Sequence, residues 1–493
     1  MAANATLLGL LPAGSFEKLH ALKSLGVCVR CILRYAAVTD HELYSLDSAE
    51  LSATWDTFSA AQGQPVPDAP AAIAGVCTCC LDVFEGALGA SNRADLVAKA
   101  KDCGYATTTF MIAIQIPSAT LIRQHSLSHH VKFPSTPIDL KEVLKWCLTP
   151  ILATALNNAT YVATSDVSIH LHFQHELSEQ EAMQVPTIRD TIMQNKRRKL
   201  EIDAFGAVTR ALQSMHDFPS TMPCPPTVAK TPCSLTVKME RAPTYVAGRY
   251  LKYQRGLSQT PWVLDGERLG ESSVEEAIGD IVLPHFHAKS YKFHTAGRED
   301  VDVRMLGNGR PFILELIDAK VAALPSPAHY ERIQAEVNET NADRVEIRGF
   351  QLTDKKRFSV LQAGADSKRK TYCCVVWVAE KLTPDRVATL NSISDLAVAQ
   401  KTPGTFLCAH RVNGRAIVRV LHRRTLLTRP KVIHSANVTV LNDHYMLLRL
   451  TTSAGTYVKE FVHGDLGRTL PNVSTLLGCD ADILQLDVED LVE

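Results

Sequence analysis

Carboxylates and arginines are concentrated in one glycine-rich segment, residues 296–312. The segment contains three acidic and three basic side chains: Glu299, Asp300, Asp302, Arg298, Arg304 and Arg310. A nearby cation favours the ionised form of a carboxylate, and an ionised, well-positioned carboxylate can serve as a nucleophile in sugar chemistry or as a general base. Arginines in the same place suit phosphate binding. The alternative interpretation is an ion-pair network on a surface turn.

Two Cys-x-x-Cys units, Cys28–Cys31 and Cys77–Cys80, have the spacing of zinc knuckles. Four thiolates from Cys28, Cys31, Cys77 and Cys80 would form a closed tetrahedral site, which is the structural type of zinc site. The 45 residues between the units exceed what a compact zinc ribbon needs. A redox pair or unrelated buried cysteines are therefore open alternatives, and Cys79 is a spare thiol.

Positive charge is concentrated in residues 401–442, which contain eight Lys or Arg and no Asp or Glu, although the whole chain has zero net charge. The densest point is Arg423-Arg424. Such a stretch can bind a polyanion locally, or it can be a solvated surface balanced by acids elsewhere. A second basic run, residues 196–199, indicates a nuclear signal, an RNA contact or only a charged helix edge.

The elements that must position these groups fall into two domains, because 493 residues exceed what one core usually organises. Prolines between Phe218 and Pro243 mark the boundary, so we predict domains of residues 1–240 and 241–493. In the first half, helices are predicted at Phe16–Leu25 and Asp139–Cys147, and strands at Thr107–Gln115 and Asp166–Phe173. This mixture indicates an α/β or α+β domain.

The second half is predicted to be α+β with a mainly antiparallel sheet, because strands outnumber helices. The predicted strands are Ser359–Val360, Tyr372–Val378, Ile417–Leu421, Ala436–Leu441 and Tyr445–Thr451. The predicted helices are Ser273–Ile281, His329–Val337 and Lys459–Val462. A hairpin turn is expected at Asn442-Asp443-His444.

Composition excludes several classes of protein. Hydrophobic residues make up 46% of the chain and charged residues 21%, as in a soluble globular protein. No apolar run reaches the roughly 18–20 residues that cross a bilayer, and the first residues lack the basic start of a secretory signal. Thirteen scattered cysteines favour reduced thiols. We therefore expect an intracellular protein of the nucleus and/or cytoplasm, without membrane association.

Gly297-Arg-Glu-Asp300 is similar to the Gly-Arg-x-Asp element that carries the nucleophilic aspartate of pseudouridine synthases. Further blocks in the second half are Arg241–Tyr253 with Gln259–Trp262, Gly307–Phe312, Lys370–Tyr372, and Gly455–Thr469 with Ala481–Leu484. In this order, the blocks together resemble the archaeal and eukaryotic tRNA pseudouridine synthase family that modifies uridines 54 and/or 55 of the T loop. The cysteine pairs and Asp139–Trp146 are similar to the family's accessory domain, a THUMP-like RNA-binding module with a zinc knuckle.

The resemblance implies a role for each candidate residue. Asp300 is the nucleophile, Lys459 its paired cation, and Tyr372 the aromatic ring that stacks on the target uracil. RNA contacts are expected from Arg298, Arg304, Arg310, Arg423, Arg424 and Arg468. The implied protein is a monomer that isomerises uridine in the T arm of tRNA, with one structural Zn²⁺ and no organic cofactor.

Two rival functions are weighed against this one. A non-catalytic RNA-binding or scaffold protein in RNA processing would use the zinc site and the basic surface, but would not need Asp300, Tyr372 and Lys459 together. RNA methylation or thiolation also occurs beside THUMP-like modules. Such enzymes need a glycine-rich loop after a strand for the methyl donor or nucleotide, and no such loop is found.

Overall fold

The computed structural model describes residues 10–12, 14–63, 75–133, 136–194, 205–215, 217–360, 369–401 and 427–492. The chain divides into two compact units, Met1–Ala242 and Pro243–Glu493. Both units are mixed α/β structures, each with its own hydrophobic core. None of the helices in the described part of the chain is long and apolar enough to cross a bilayer.

Helices surround a small sheet in the first unit. Its helices are α1 (Phe16–Ser24), α2 (Val29–Tyr35), α3 (His41–Ser45), α4 (Ser48–Ala61), α5 (Val83–Leu88), α6 (Ala90–Asp102), α7 (Ala119–His130), α8 (Leu140–Ala155), α9 (Ser178–Ala182), α10 (Pro186–Gln194) and α11 (Phe205–Gln213). Its strands are β1 (Thr109–Gln115), β2 (Thr160–Tyr161), β3 (Val167–Gln174) and β4 (Ser234–Arg241). Their order is β2-β1-β3-β4, with β1 parallel to both neighbours and β4 antiparallel to β3.

Alternation explains why β3 forms where the sequence predicts it. Its odd-numbered residues from Val167 to Phe173 are buried, and His170 and His172 are on the opposite face. The predicted helix at Asp139–Cys147 is also present but continues to Ala155. Asp139 caps this helix, its Oδ1 accepting a hydrogen bond of 2.6 Å from the Lys141 backbone N–H.

The second unit is built on one large sheet. Its strands are β5 (Thr244–Lys252), β6 (Val263–Leu264), β7 (Glu267–Arg268), β8 (Ser290–Thr295), β9 (Arg304–Ile317), β10 (Val345–Thr353), β11 (Arg369–Val378), β12 (Ser394–Lys401), β13 (Thr428–Asn442), β14 (Tyr445–Thr452), β15 (Thr469–Leu470) and β16 (Ala481–Val492). Its helices are α12 (Val274–His285), α13 (Pro327–Thr340), α14 (Pro384–Asn391), α15 (Val458–His463) and α16 (Val473–Leu477), with a tight turn of positive φ angles at Gly464–Gly467.

Among the described residues, the large sheet has the order β10-β5-β9-β16-β11-β14-β13-β12-β15, and β8 pairs with β9. All of these pairings are antiparallel except that between β9 and β16. The prediction of a mainly antiparallel sheet is confirmed, as is the hairpin turn between β13 and β14. Strands β9, β16 and β11 lie in the middle of the sheet. The connection between β8 and β9 therefore enters the sheet near its middle.

One predicted strand is wrong, and another cannot be compared. Residues 355–360 are helical, so Ser359–Val360 is not a strand. The reason is a cap: the Asp354 carboxylate accepts a hydrogen bond of 3.1 Å from the Arg357 backbone N–H, which favours a helix start. The predicted strand at Ile417–Leu421 and the basic run at residues 196–199 lie outside the described residues.

Candidate active site and metal centre

A cavity of about 300 Å³ lies in the second unit where the β8–β9 connection meets β11, α15 and β16. The connection carries Asp300, β11 carries Tyr372, and α15 carries Lys459, so the three predicted catalytic residues line the same cavity. Further charged lining residues are Arg298, Glu299, Arg310, Lys370, Arg429 and Glu460. A concave site with a few converging polar groups is the usual form of an active site.

Asp300 presents its carboxylate to this space. Its side chain is 72% exposed, and its Oδ2 is 3.2 Å from Lys459 Nζ. Lys459 also donates to both oxygens of Asp302, each at 2.8 Å. Partial burial would lower the pKa of Lys459, but the hydrogen bonds and negative charge of Asp302 and Asp300 raise it. The lysine is therefore a cation shared by two neighbouring carboxylates.

A buried lysine holds the backbone of the loop that carries Asp300. Lys252, on β5, is fully buried, and its ammonium group donates to the carbonyl oxygens of Leu257, Asp300 and Val301 at 2.8, 3.0 and 3.3 Å. Burial lowers the pKa of Lys252, and the negative charge of the neighbouring carboxylates opposes this effect. Three carbonyls thus occupy the three N–H donors of an ammonium group, which fixes the loop on β5.

A second buried network lies beneath the same loop. The Arg310 guanidinium donates to Glu299 Oε2 at 2.8 Å, and both side chains are 1% exposed. The Tyr250 hydroxyl donates to Glu299 Oε1 at 2.8 Å and accepts a hydrogen bond of 2.7 Å from the Gln259 amide. Gln259 also donates to the Gly297 carbonyl at 3.1 Å. These contacts connect β5, β9 and the start of the loop.

Removing the charge of Glu299 is expected to destabilise the second unit. In the Glu299→Gln variant the buried Arg310 guanidinium has no ionised partner, and breaking a buried pair in this way costs about 3–5 kcal/mol. Calorimetric unfolding of the full chain measures the loss. The matched control is Glu489→Gln, because Glu489 forms a partly exposed ion pair with Arg449, at 3.1 Å, and ion pairs in contact with solvent contribute little. Equal stability of the two variants would contradict a structural role for the buried pair.

Two glycines allow the close packing around this loop. Gly297 has φ +89°, and a Cβ there would lie 2.8 Å from Arg310 Nη1. Gly307 has φ +61°, and a Cβ there would lie 1.8 Å from the backbone carbonyl oxygen of Glu489 on β16. A side chain at position 307 would therefore separate β9 from β16.

Tyr372 forms part of the cavity wall with little solvent exposure. Burial raises the pKa of its hydroxyl to about 12, despite the opposing charge of Arg310. The phenol is therefore neutral at physiological pH. A neutral ring at the edge of a cavity can stack on a planar base.

The arginines predicted to bind RNA occupy different environments. Arg298 is exposed at the cavity. Arg304 pairs with Asp487 on β16, its Nε lying 2.9 Å from Oδ1, and Arg468 pairs with Asp465 at 2.8 Å. Arg310 lines the cavity, and its guanidinium is buried in the ion pair with Glu299. Arg423 and Arg424 lie outside the described residues.

The sequence analysis missed an anchor on the acidic C-terminal strand. Asp487 accepts hydrogen bonds from Arg304 and from Arg255, whose Nη2 lies 2.6 Å from Asp487 Oδ1. Arg255 also donates to the Asp302 carbonyl at 2.9 Å. Burial would raise the pKa of Asp487, but the two arginines lower it. The alternation of charge along β16, with Asp487 and Glu489 on the same face, is the only sequence signal of this role.

The four predicted metal-ligand cysteines come together in the first unit. The Sγ atoms of Cys28, Cys31, Cys77 and Cys80 all lie within 4.8 Å of one another, and those of Cys28 and Cys80 are 3.9 Å apart. Tetrahedral Zn–S bonds of about 2.3 Å place sulfur atoms about 3.8 Å apart. Cys79 is buried but is not part of the cluster.

Neighbouring groups suit thiolate ligands at this cluster. The Cys28 backbone N–H donates to Cys77 Sγ at 3.2 Å, and the buried Arg34 guanidinium donates to Cys31 Sγ at 3.6 Å. The Thr78 N–H donates to the Gly26 carbonyl at 3.2 Å, which joins the two cysteine-bearing turns. The donor set and its surroundings therefore fit a closed four-thiolate metal site.

Comparisons with known proteins match both halves of the chain. The family model described as "Pus10, C-terminal" matches residues 245–492, and "Eukaryotic Pus10, N-terminal" matches residues 77–238. The tRNA pseudouridine synthase Pus10 of Xenopus laevis is 31% identical in an alignment of 513 positions, gaps included, that covers 96% of each protein. The human relative of the same name is 34% identical over 434 residues, covering 84% of this chain and 78% of the relative.

An archaeal relative matches a shorter part. The tRNA pseudouridine synthase Pus10 of Thermofilum pendens is 34% identical over 265 residues, which cover 52% of this chain and 54% of the relative. The family resemblance stated from the sequence motifs is thus confirmed. From the family models and from a relative that matches over nearly its whole length, we conclude that this chain belongs to the Pus10 family of tRNA pseudouridine synthases.

Proposed function

We propose that this chain isomerises uridine to pseudouridine in the T arm of tRNA, at position 54, position 55 or both, with Asp300 as the nucleophile. The observation that carries the proposal is the cavity in which the Asp300 carboxylate, the Lys459 ammonium group and the Tyr372 ring meet. Membership of the Pus10 family supports the reaction and the class of substrate.

The reaction conserves every atom of the substrate. The N1–C1′ bond of uridine breaks, the uracil turns, and C5 bonds to C1′, while C5 loses a proton and N1 gains one. Asp300 forms the transient bond, either to the ribose C1′ or to the pyrimidine ring. Because nothing is oxidised or reduced, no organic cofactor is required.

The surrounding residues position the substrate and the carboxylate. Lys459 holds the Asp300 carboxylate from one side, at 3.2 Å, and shares its charge with Asp302. Tyr372 stacks on the uracil after the nucleotide has left the RNA stack, since the ribose of a stacked nucleotide is not accessible. Arg298, exposed at the cavity, fills the vacated position or binds a phosphate.

The remaining basic residues are assigned to the RNA-binding surface of the protein because of their positive charge. Arg429 lines the cavity and belongs to the acid-free stretch of residues 401–442, which also includes Arg423 and Arg424. Helical RNA is recognised mainly through its backbone and shape, which suits scattered Arg and Lys. Arg304 and Arg468 each form an ion pair, and the solvent-exposed part of each side chain contributes to RNA binding.

The first unit is proposed to be a THUMP-like RNA-binding accessory domain with one structural zinc ion. Cys28, Cys31, Cys77 and Cys80 would hold the metal, and zinc would supply a cross-link between the two cysteine-bearing turns rather than chemistry. The positive charge of Arg34 offsets part of the charge of four thiolates. We further propose that the protein acts as a monomer in the nucleus and/or cytoplasm.

Incubation of the purified full chain with unmodified tRNA tests the function. Pseudouridine mapping at single-nucleotide resolution is expected to find the product in the T arm and at no other uridine. A tRNA whose T-loop uridines are replaced by cytidine is the matched control and should remain unmodified. Binding of tRNA without any product would instead favour the non-catalytic RNA-binding protein, and product outside the T arm would contradict the assigned site.

A further inference from the structure

An unusual turn follows α15, the helix that carries Lys459. Four consecutive residues, Gly464–Gly467, have left-handed backbone angles, with φ values of 78°, 46°, 55° and 81°. The middle two are Asp465 and Leu466, and both have φ and ψ of the left-handed helix. Only glycine adopts this region readily, followed by Asn and Asp as single residues, and a bulky side chain there is a backbone outlier.

Several contacts determine this conformation. The Arg468 guanidinium donates to both oxygens of Asp465, at 2.9 and 2.8 Å, and the Asp465 backbone N–H donates to His463 Nδ1 at 3.1 Å. The amide of Asn472 packs so closely on Gly464 that a Cβ there would lie 2.5 Å from its Nδ2. The surrounding structure thus holds Leu466 in a position that its own backbone preference opposes.

The strained leucine points outward. Leu466 is 85% exposed, whereas Phe461 and Val462, just before the turn, are fully buried. An exposed leucine side chain contributes little to folding, because apolar groups stabilise a protein when they leave water. The folded chain therefore carries backbone strain at position 466 without burying the side chain. Observed strain of this kind is a reason to look for a function.

The turn is connected to the cavity through β12 and β13, which carry two exposed basic residues, Lys401 and Arg429. Lys401, which is exposed, donates its backbone N–H to the Arg468 carbonyl at 3.0 Å. The preceding Gln400 pairs with Arg429 across β12–β13 and exchanges two hydrogen bonds of 2.9 Å with the Tyr457 backbone. Arg429 and Tyr457 both line the cavity. A second exposed leucine, Leu470, is 50% exposed on β15.

We propose that Leu466 is a substrate-recognition residue, which packs against an unstacked base of the RNA while Lys401 and Arg429 bind the flanking phosphates. This inference rests on the proposed function and deepens it, since it assigns a contact outside the catalytic cavity. The choice of RNA follows from the two exposed basic residues on the strands connected to the turn, Lys401 and Arg429, because an exposed apolar side chain near cations matches a base near phosphates. The side chain is buried only in the complex, which accounts for its exposure in the free chain.

The Leu466→Asn variant separates recognition from folding. Asparagine tolerates the left-handed region better than leucine, so the variant is expected to melt at a higher temperature than the wild type. Loss of one buried apolar contact is expected to raise Kd and KM for unmodified tRNA about tenfold, since a buried leucine contributes roughly 1.5 kcal/mol or more. The kcat at saturating tRNA should be retained. Leu441→Asn is the control, because Leu441 is 52% exposed on β13 and has no assigned contact.

A Kd and KM within twofold of wild type for Leu466→Asn would overturn the proposal. This result would indicate that the strained turn binds a partner other than tRNA, such as a protein. Direct tRNA binding, measured in parallel with turnover, keeps this test separate from the proposed function. If the wild type binds tRNA but forms no pseudouridine, the enzymatic proposal fails and the Kd comparison still decides the role of Leu466.

Discussion

Replacing Asp300 by asparagine is expected to abolish pseudouridine formation while tRNA binding changes little. The amide has nearly the shape of the carboxylate but lacks its nucleophilic oxygen, so the loss falls on kcat and should be on the order of a thousandfold or more. The side chain is 72% exposed, and the backbone of the loop is held independently by Lys252, so we expect the fold to tolerate the change. Single-turnover assays and a binding titration measure the two quantities separately.

Asp302 is a demanding control for this prediction. It lies two residues away, it is 59% exposed, and its carboxylate is closer to Lys459 Nζ than that of Asp300, at 2.8 Å against 3.2 Å. The Asp302→Asn variant is expected to lose activity only partly, through altered placement of Lys459. If Asp300→Asn still turns over, or if only Asp302→Asn is completely inactive, Asp300 is not the nucleophile.

The local parts of the site could be predicted from the sequence. The Gly297–Asp300 motif identifies the loop, and the family resemblance predicts Lys459 beside Asp300, although the two residues are more than 150 positions apart in the sequence. Alternation in β3 predicted both the strand and its buried face. Such patterns depend on neighbouring residues or on short motifs, and they are visible without the fold.

The burial of charged groups could not be predicted in the same way. Arg310 and Arg298 look equivalent in the sequence, yet one is 1% exposed against Glu299 and the other is exposed at the cavity. Lys252 is fully buried at the end of β5, and its three carbonyl partners become known only when the loop is placed over it. Whether a charge is buried depends on partners distant in the chain, and local patterning carries no information about them.

Loss of one thiol from the cysteine cluster is the second change with a large expected effect. The native protein should contain one zinc ion per chain, and Cys31→Ser should lose it together with much of the stability of the first unit. Structural zinc provides on the order of 10 kcal/mol of apparent binding free energy at pH 7, and this energy is coupled to folding. Metal analysis and calorimetry of the full chain measure the two effects.

The matched control is Cys79→Ser, because Cys79 is also buried and lies between two of the predicted ligands, yet is not in the cluster. It should keep its zinc, although a small packing defect is expected. If both variants lose metal equally, Cys79 is a ligand and the assignment of the four cysteines is wrong. If the native protein contains no zinc, the proposed zinc site is wrong. The second unit has a separate core and carries Asp300. Cys31→Ser should therefore leave its unfolding transition in place, so that any loss of turnover reflects weaker RNA binding rather than a damaged cavity.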